Sequence, residues 1–170
     1  MGETALFWID LTSANGNNAN LIQGGFSAGA AILASPTPIT IANVDLYFPK
    51  AKIGGGNSVY VWSINNANYY GLSKISTGGW WTLSAPGLTV QQANNIDAKI
   101  DDGLPQIGNV IALYVNGNPA WAGTASGTTA VSPSGTTCYD NGGNVANAVV
   151  YSVSQNGGSK INCALSFRFR

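Results

Sequence analysis

The chain contains no histidine, and charged residues make up only 8% of it, against about 25% in ordinary domains. Without histidine there is no Ser-His or Cys-His nucleophile pair and no imidazole-bound metal. Seven basic residues balance seven acidic residues, so the net charge is zero. A chain without a basic face cannot neutralise phosphates, which excludes electrostatic capture of nucleic acid. The sequence also has no glycine-rich phosphate loop, and we predict that the protein is not an enzyme.

Long apolar runs and glycosylation signals are missing as well. A membrane-spanning helix needs about 20 consecutive apolar residues, and the sequence contains neither such a run nor a signal peptide. None of its many asparagines lies in an Asn-x-Ser/Thr sequon. A chain rich in asparagine, glycine, serine and threonine is typical of extracellular β-rich proteins. The absence of sequons favours a bacterial source.

The length and the cysteine content indicate one small domain with a covalent crosslink. The 170 residues fit a single domain over 1–170. Cys138 and Cys163 are the only two cysteines, and they fit either one disulfide or two unrelated buried thiols. The disulfide is favoured because no histidine or further cysteine could complete a metal site. It would stabilise the fold by roughly 3 kcal/mol and would require an oxidising compartment.

The best-defined local element is a helix that we predict over about Val90–Asp102. Thr89 and Gln92 have the spacing of a capping box, in which each side chain satisfies a free backbone N–H group. Gly103 suits the left-handed position after the helix, and Pro105 prevents the helix from continuing. Apolar residues at helical spacing predict the buried stripe of this helix: Val90, Ala93, Ile96 and Ile100.

The rest of the chain is predicted to consist mainly of strands and turns. A shorter helix is expected over Glu3–Ala14, and turns are expected at Asn65-Asn66 and Asn116-Gly117. We predict Val110–Val115 to be a central strand, with Ala120–Ala122 returning beside it. The other apolar or alternating runs predict the strands Ile39–Phe48, Ser58–Ile64, Asn68–Leu72, Ala148–Val153 and Ile161–Phe169. This order of elements predicts an α+β fold with an antiparallel sheet.

Three aspartates near the end of the predicted helix form the main candidate site. Asp97, Asp101 and Asp102 are close in sequence, and Asp140 could join them in space. The helix dipole disfavours anions at this end, so turn N–H groups, Lys99 or a cation must compensate for the negative charge. Three interpretations follow: a structural turn, which we favour, a Ca²⁺ site with oxygen ligands, or a carboxylate pair for glycoside hydrolysis.

Trp80 and Trp81 form a second candidate site. Neighbouring rings in an extended segment point to opposite faces, so we expect one of the two to be exposed. Such a ring could pack within the fold, anchor a subunit interface or contact a glycan. Trp8 and Trp62 are more simply interpreted as core residues.

Three segments, in order along the chain, resemble the type IV pilin-like proteins, which are made as prepilins with an N-terminal cleavage and methylation signal. The first is Glu3–Trp8 followed by Ala19–Gly24, and the second is IDAKIDDGLPQIG at 96–108. The third is the pair Cys138 and Cys163, followed by an apolar strand to the C-terminus. The position of the second helix is most similar to that in type IVb pilin heads.

The resemblance implies a head domain in which an antiparallel sheet packs with two helices and a disulfide-stapled C-terminal region. It implies a structural subunit of an extracellular filament, as a major pilin, a minor pilin or a secretion pseudopilin. Its partners would be other pilin subunits, and no cofactor is expected. Met1-Gly2 has the appearance of an added start. We therefore expect the natural gene to encode, upstream of Glu3, a short basic leader and about 25 apolar residues that anchor the subunit in the inner membrane before assembly.

A different class of function stays open beside this one. The tryptophan pair and the asparagine-rich loops also fit a secreted carbohydrate-binding or adhesin module. That module would need an exposed aromatic ring beside amide side chains, whereas a filament subunit needs the missing hydrophobic helix.

Overall fold

The computed structural model describes residues 7–8, 11–12, 44–78, 82–113 and 129–169. Trp80, Trp81, the Asn116-Gly117 turn and the expected strand 120–122 lie outside these residues. Of the predicted first helix, Phe7, Trp8, Leu11 and Thr12 are described, and all four are helical. No helix in the described ranges is long and apolar enough to cross a membrane.

Helix α1 runs from Val90 to Ile100, and its start is the one predicted. The backbone N–H of Thr89 donates to Gln92 Oε1 at 2.9 Å, and the N–H of Gln92 donates to Thr89 Oγ1 at 3.1 Å. The capping box is therefore complete. The helix ends two residues earlier than predicted, and Gly103 follows in the left-handed region with φ 74°.

The described strands are β1 Ser58–Ile64, β2 Ala67–Gly78, β3 Thr82–Ala85, β4 Leu88–Thr89, β5 Val110–Ile111, β6 Tyr139–Asp140, β7 Val150–Tyr151, β8 Ile161–Cys163 and β9 Leu165–Phe169. The main sheet is antiparallel throughout, and its strands follow the order β1-β2-β9-β5, with β3 paired to the other part of β2. Two further pairs, β4 with β8 and β6 with β7, form small two-stranded sheets. This mixture of antiparallel sheets with a helix is consistent with the predicted α+β class.

The β1–β2 hairpin confirms a prediction made from the sequence. Asn65 and Asn66 have φ values of 50° and 60°, the backbone that a two-residue type I′ turn requires. Asparagine tolerates this region better than most residues do. The strand predicted over 58–64 is observed with the same bounds, and the returning arm is longer than predicted.

The strand predicted over Ile39–Phe48 is wrong in the part that the structure describes. Val44–Leu46 forms a 3-10 helix, and the N–H of Phe48 donates to the Val44 carbonyl at 3.0 Å. Val44, Tyr47 and Phe48 are buried whereas Leu46 is 52% exposed, so burial follows a helical spacing and not alternation. A short apolar run does not distinguish these two periods.

The later strand predictions need correction as well. The Val110–Val115 run forms only the two-residue strand β5 within the described residues, at the end of the described strand order and not at its centre. The strand expected over Ala148–Val153 is reduced to β7, and its partner β6 was not predicted. The central positions belong to β2 and β9.

Two clusters of buried residues form the core. The first joins α1 to the disulfide and β9, and it includes Leu88, Val90, Ala93, Cys138, Tyr151, Cys163 and Leu165. The second includes Trp8, Val44, Tyr47, Phe48, Tyr60 and Ile75. Cys138 and Cys163 form the predicted disulfide, with their Cα atoms 5.0 Å apart. The first cluster positions the acidic turn described below.

Gly71 provides a test of the packing around Tyr60. The two residues are paired across β1 and β2, and a Cβ atom on Gly71 would lie only 2.0 Å from Cε2 of the Tyr60 ring. The ring is fully buried, and its hydroxyl bonds the Ser73 hydroxyl at 2.7 Å, so it has little freedom to move. We expect Gly71→Ala to lower the free energy of unfolding by about 1–3 kcal/mol, measured by urea denaturation.

Gly135→Ala is the matched control for this substitution. Its added Cβ would meet only the Asn156 side-chain amide at 3.4 Å, an ordinary contact, and its φ lies outside the left-handed region. We expect a change within about 0.5 kcal/mol. Equal effects of the two substitutions would show that the Tyr60 ring does not exclude a side chain at residue 71.

Candidate functional site

The acidic turn, which we define as residues 97–110, brings three of the four predicted aspartates together. Ligand-capable oxygens of Asp97, Asp101 and Asp102 all lie within 4.8 Å of one another. Helix α1 supplies Asp97, and the two others follow directly after the helix ends. Asp140 lies on β6 and does not belong to this group.

Asp97 is fully buried, and both of its carboxylate oxygens accept hydrogen bonds. The Tyr151 hydroxyl donates to Oδ2 at 2.7 Å, and the Gly103 N–H donates to Oδ1 at 3.1 Å. Tyr151 lies on β7 and is itself 3% exposed. The carboxylate therefore joins the end of α1 to a strand that is 54 positions away in sequence.

Asp101 and Asp102 fold the loop that follows the helix. Oδ2 of Asp101 accepts the N–H groups of Asn109 and Val110, the latter at 3.0 Å. Asp102 Oδ1 accepts the N–H of Leu104 at 2.8 Å. Turn N–H groups thus supply the compensation that carboxylates need at the negative end of a helix.

Gly108 allows the turn to close around Asp101. Its φ is 81°, and an added Cβ would lie 2.0 Å from Asp101 Oδ2. The position therefore excludes a side chain both by its backbone conformation and by lack of space. The glycine lets the backbone approach the carboxylate closely enough for the N–H groups of the next two residues to reach it.

The environments of Asp97 and Asp101 shift their pKa values in opposite directions. Desolvation by burial raises the pKa of Asp97, and the bonds from Tyr151 and Gly103 only partly oppose this shift. The negative charges of Asp102 and Asp101 raise it further. The backbone N–H groups of Val110 and Asn109 hold the pKa of Asp101 below its ordinary value. Burial, followed by the bond to Asp97, raises the pKa of Tyr151.

Tyr151 is the residue of the site that sequence reasoning missed. A signal for it was present, because Asp97 lies four residues after Ala93 and seven after Val90, and so falls on the buried stripe of α1. A carboxylate on that stripe requires a buried donor. The structure corrects the predicted stripe accordingly: Asp97 is buried, whereas Ile100 is 62% exposed.

Asp140 has a separate set of partners. The Ser152 hydroxyl donates to Oδ2 at 2.5 Å, and the Gly142 N–H donates to Oδ1 at 2.9 Å. Asp140 and Ser152 are both buried. These bonds join β6 to the residue after β7 and to the loop that follows β6. Asp140 therefore stabilises the β6–β7 pair, which Asp97 also contacts through Tyr151.

Of the predicted aromatic contacts, the structure describes those of Trp8 and Trp62. Trp8 is buried in the core, as predicted. Trp62, interpreted as a core residue, is partly buried and packs against the second core cluster, and its ring stacks on Tyr69 with the centroids 5.2 Å apart. Its indole N–H donates to Ser166 Oγ at 3.1 Å, and Arg168 pairs in register with Tyr69. Half-exposed aromatic rings therefore line this face of the sheet.

Comparisons with known proteins do not assign this arrangement to a family. No protein-family model, no curated protein and no solved structure matches the chain. The chemistry and the placement of its residues are consequently the basis for its function, because a fold class alone does not determine function.

Proposed function

We propose that this chain is the head domain of a structural subunit, a pilin, minor pilin or pseudopilin, in an extracellular type IV pilus-like or secretion filament. The observation that carries the proposal is the way α1 is fixed between sheet segments. The capped start of α1 follows β4, which pairs with the disulfide-bearing strand β8, and its end is tied to β7 by Asp97. An arrangement built from such crosslinks serves rigidity.

The contacts of the N-terminal helical residues support the same proposal. Phe7 packs edge-on against Trp8 at 5.0 Å and against Tyr70 of β2 at 6.4 Å, measured between ring centroids. A helix that enters the head and docks on its sheet is the feature that a filament subunit of this class needs. The subunit would act without catalysis, at the surface of a bacterium, with other pilin subunits as its partners.

The test is to locate the protein in the cell that produces it. Antibodies against this chain should label surface filaments by immunogold electron microscopy, and the protein should be recovered in the sheared filament fraction. A strain without the prepilin-processing peptidase should lose both signals. Recovery of the protein only as free monomer in the medium, with unlabelled filaments, would contradict the proposal.

A secreted carbohydrate-binding or adhesin module is the second candidate, favoured by the stacked and half-exposed Trp62 and Tyr69. A sugar that stacks on these rings would change tryptophan fluorescence on titration, and Trp62→Ala would remove the change. Trp80→Ala and Trp81→Ala test the predicted pair separately. If no glycan in a panel changed the tryptophan fluorescence, the carbohydrate-binding candidate would be excluded and the filament subunit would be the one proposal left.

We propose that the acidic turn is structural and needs no cation. Its carboxylates already accept N–H and O–H donors from Gly103, Leu104, Val110 and Tyr151. We therefore expect millimolar Ca²⁺ to leave the melting temperature unchanged, measured by calorimetry at constant ionic strength with Mg²⁺ as the control. A ligand that binds only the folded state must raise this temperature, so a rise that Asp102→Asn abolishes would establish a calcium site.

A further inference from the structure

The described residues include two Asn–Gly pairs, Asn141-Gly142 and Asn156-Gly157, in contrasting surroundings. In such a pair, the backbone nitrogen of the glycine can reach the asparagine side-chain carbon Cγ, because glycine has no Cβ to hinder the approach. Whether the reaction occurs depends on three features: the freedom of the amide, the freedom of the glycine N–H and access for water.

The Asn141 pair is held on all three counts. The Asn141 side chain accepts the Val131 N–H and donates to the Thr129 carbonyl, each at 2.8 Å. The Gly142 N–H donates to Asp140 Oδ1 at 2.9 Å. Asn141 is 2% exposed. In the folded protein, hydrogen bonds therefore fix both the attacking Gly142 nitrogen and the Asn141 amide, and water has little access to the Asn141 side chain.

The Asn156 pair is open by the same criteria. Asn156 and Gly157 are exposed, and both have positive φ values, 51° and 58°. Within the described part of the chain, neither the Asn156 side chain nor the Gly157 N–H forms a hydrogen bond. The turn itself is held by the Gly158 N–H on the Gln155 carbonyl and by the Ser159 N–H on the Asn156 carbonyl.

We propose that Asn156 is a site of spontaneous deamidation, and that Asn141 is protected from it by the fold. The Gly157 nitrogen forms a bond to Asn156 Cγ, the Cγ–Nδ2 bond breaks, and ammonia leaves with the proton that the backbone nitrogen gives up. One water molecule then opens the resulting five-membered imide at either carbonyl. The products are aspartate or isoaspartate at position 156, with no change of oxidation state.

The modification changes the surface at the start of α1. It adds one negative charge to a chain whose net charge is zero. Gly158 packs against Gln91 in the first turn of α1, where an ideal Cβ would lie 3.0 Å from the Gln91 nitrogen. Aspartate places the new charge on the side chain, whereas isoaspartate also lengthens the backbone inside the turn. The two products should therefore differ in local stability.

The experiment follows both pairs in one sample. The folded, disulfide-bonded protein is incubated in mildly alkaline buffer at 37 °C, and peptide mapping by mass spectrometry measures the loss of each amide with time. We expect Asn156 to react at least ~10-fold faster than Asn141, because reaction at Asn141 must wait for local opening. An isoaspartyl methyltransferase should label the Asn156 peptide.

Unfolding the reduced protein in urea is the control, and there the two rates should converge, since both dipeptides are Asn–Gly. Asn156→Gln keeps an amide but cannot form the five-membered imide, so this variant should lose the labelled peptide. Equal rates in the folded protein, or faster reaction at Asn141, would overturn the proposal. So would an unreactive Asn156 in the folded protein together with a reactive Asn156 in urea.

Discussion

Asp97→Ala should lower the free energy of unfolding at neutral pH by about 2–4 kcal/mol, because it leaves two donors without their acceptor in the core. The Tyr151 hydroxyl loses its 2.7 Å bond and the Gly103 N–H loses its 3.1 Å bond, and Tyr151 is too deeply buried for water to replace the carboxylate. Urea denaturation monitored by circular dichroism measures the loss.

Asp97→Asn is the matched comparison, because it removes the negative charge and keeps a hydrogen-bonding side chain. Its amide can still accept from Gly103 and donate to the Tyr151 oxygen, so both groups keep a hydrogen-bond partner without a buried charge, with the direction of the Tyr151 bond reversed. We expect it to be at least as stable as the unmodified protein at neutral pH. If it lost as much stability as Asp97→Ala, the negative charge itself would be needed, and that result would point to a bound cation.

The pH dependence of stability follows from the raised pKa of Asp97. A pKa that is higher in the folded state means that the folded protein binds the proton more tightly than the unfolded chain does. Its contribution is complete below the ordinary value of 3.8 and is lost as the pH rises through the raised folded value. Stability should therefore fall as the pH rises from 3.8 through the raised folded value, and Asp97→Asn should remove that slope.

Asp101 has the opposite sign and acts in a different range of pH. Its pKa is lowered by the N–H groups of Val110 and Asn109, so its contribution is present above 3.8 and is lost as the pH falls through the lower folded value. Asp101→Asn should therefore flatten the dependence of the free energy of unfolding on pH below pH 4. The slope of that free energy above pH 4 should stay unchanged. If both variants altered the same range, the two carboxylates would titrate as a coupled pair.

The predictions that the structure confirms are those fixed by neighbouring residues. The capping box of Thr89 and Gln92 and the Asn65-Asn66 turn depend on contacts that span a few positions. The disulfide needed only the count of cysteines and the absence of other metal ligands. In the capping box and the turn, the groups that decide the conformation lie within a few positions of one another in the sequence, whereas the cysteine pairing followed from composition alone.

The predictions that are wrong depend on partners far away along the chain. Val44–Phe48 has the composition of a strand, but Val44–Leu46 forms a 3-10 helix, and the buried residues of this run pack against Tyr60 and Trp8. The length of β5 depends on β9, which begins more than 50 residues later. The sequence was sufficient to place Asp97 at the turn that ends the helix. Its burial depends on a hydrogen bond from Tyr151. The strand that carries Tyr151 was predicted, but the pairing of that strand was not.

Removing the disulfide should be the second large perturbation. Cys138 and Cys163 are 1% and 0% exposed and close a loop with a sequence separation of 25. Restricting a loop of that size in the unfolded chain stabilises a protein by about 3 kcal/mol. We expect the double variant Cys138→Ala, Cys163→Ala to lose about that amount in urea denaturation. A double variant as stable as the parent would show that packing alone holds the two strands.

The same variant should open one segment before the rest of the fold. The disulfide ties β6 and the chain before it to β8, and the Asp97–Tyr151 bond ties β7 to α1, so residues 138–152 are held to the core by two separate crosslinks. The Ser152 N–H bonds the Cys138 carbonyl at 3.0 Å and reports on this segment. Native-state hydrogen exchange at Ser152 should accelerate in the cysteine variant and again when Asp97→Ala is added, whereas the β1–β2 hairpin keeps its protection. Uniform acceleration across the chain would instead mean that the segment unfolds only with the whole domain.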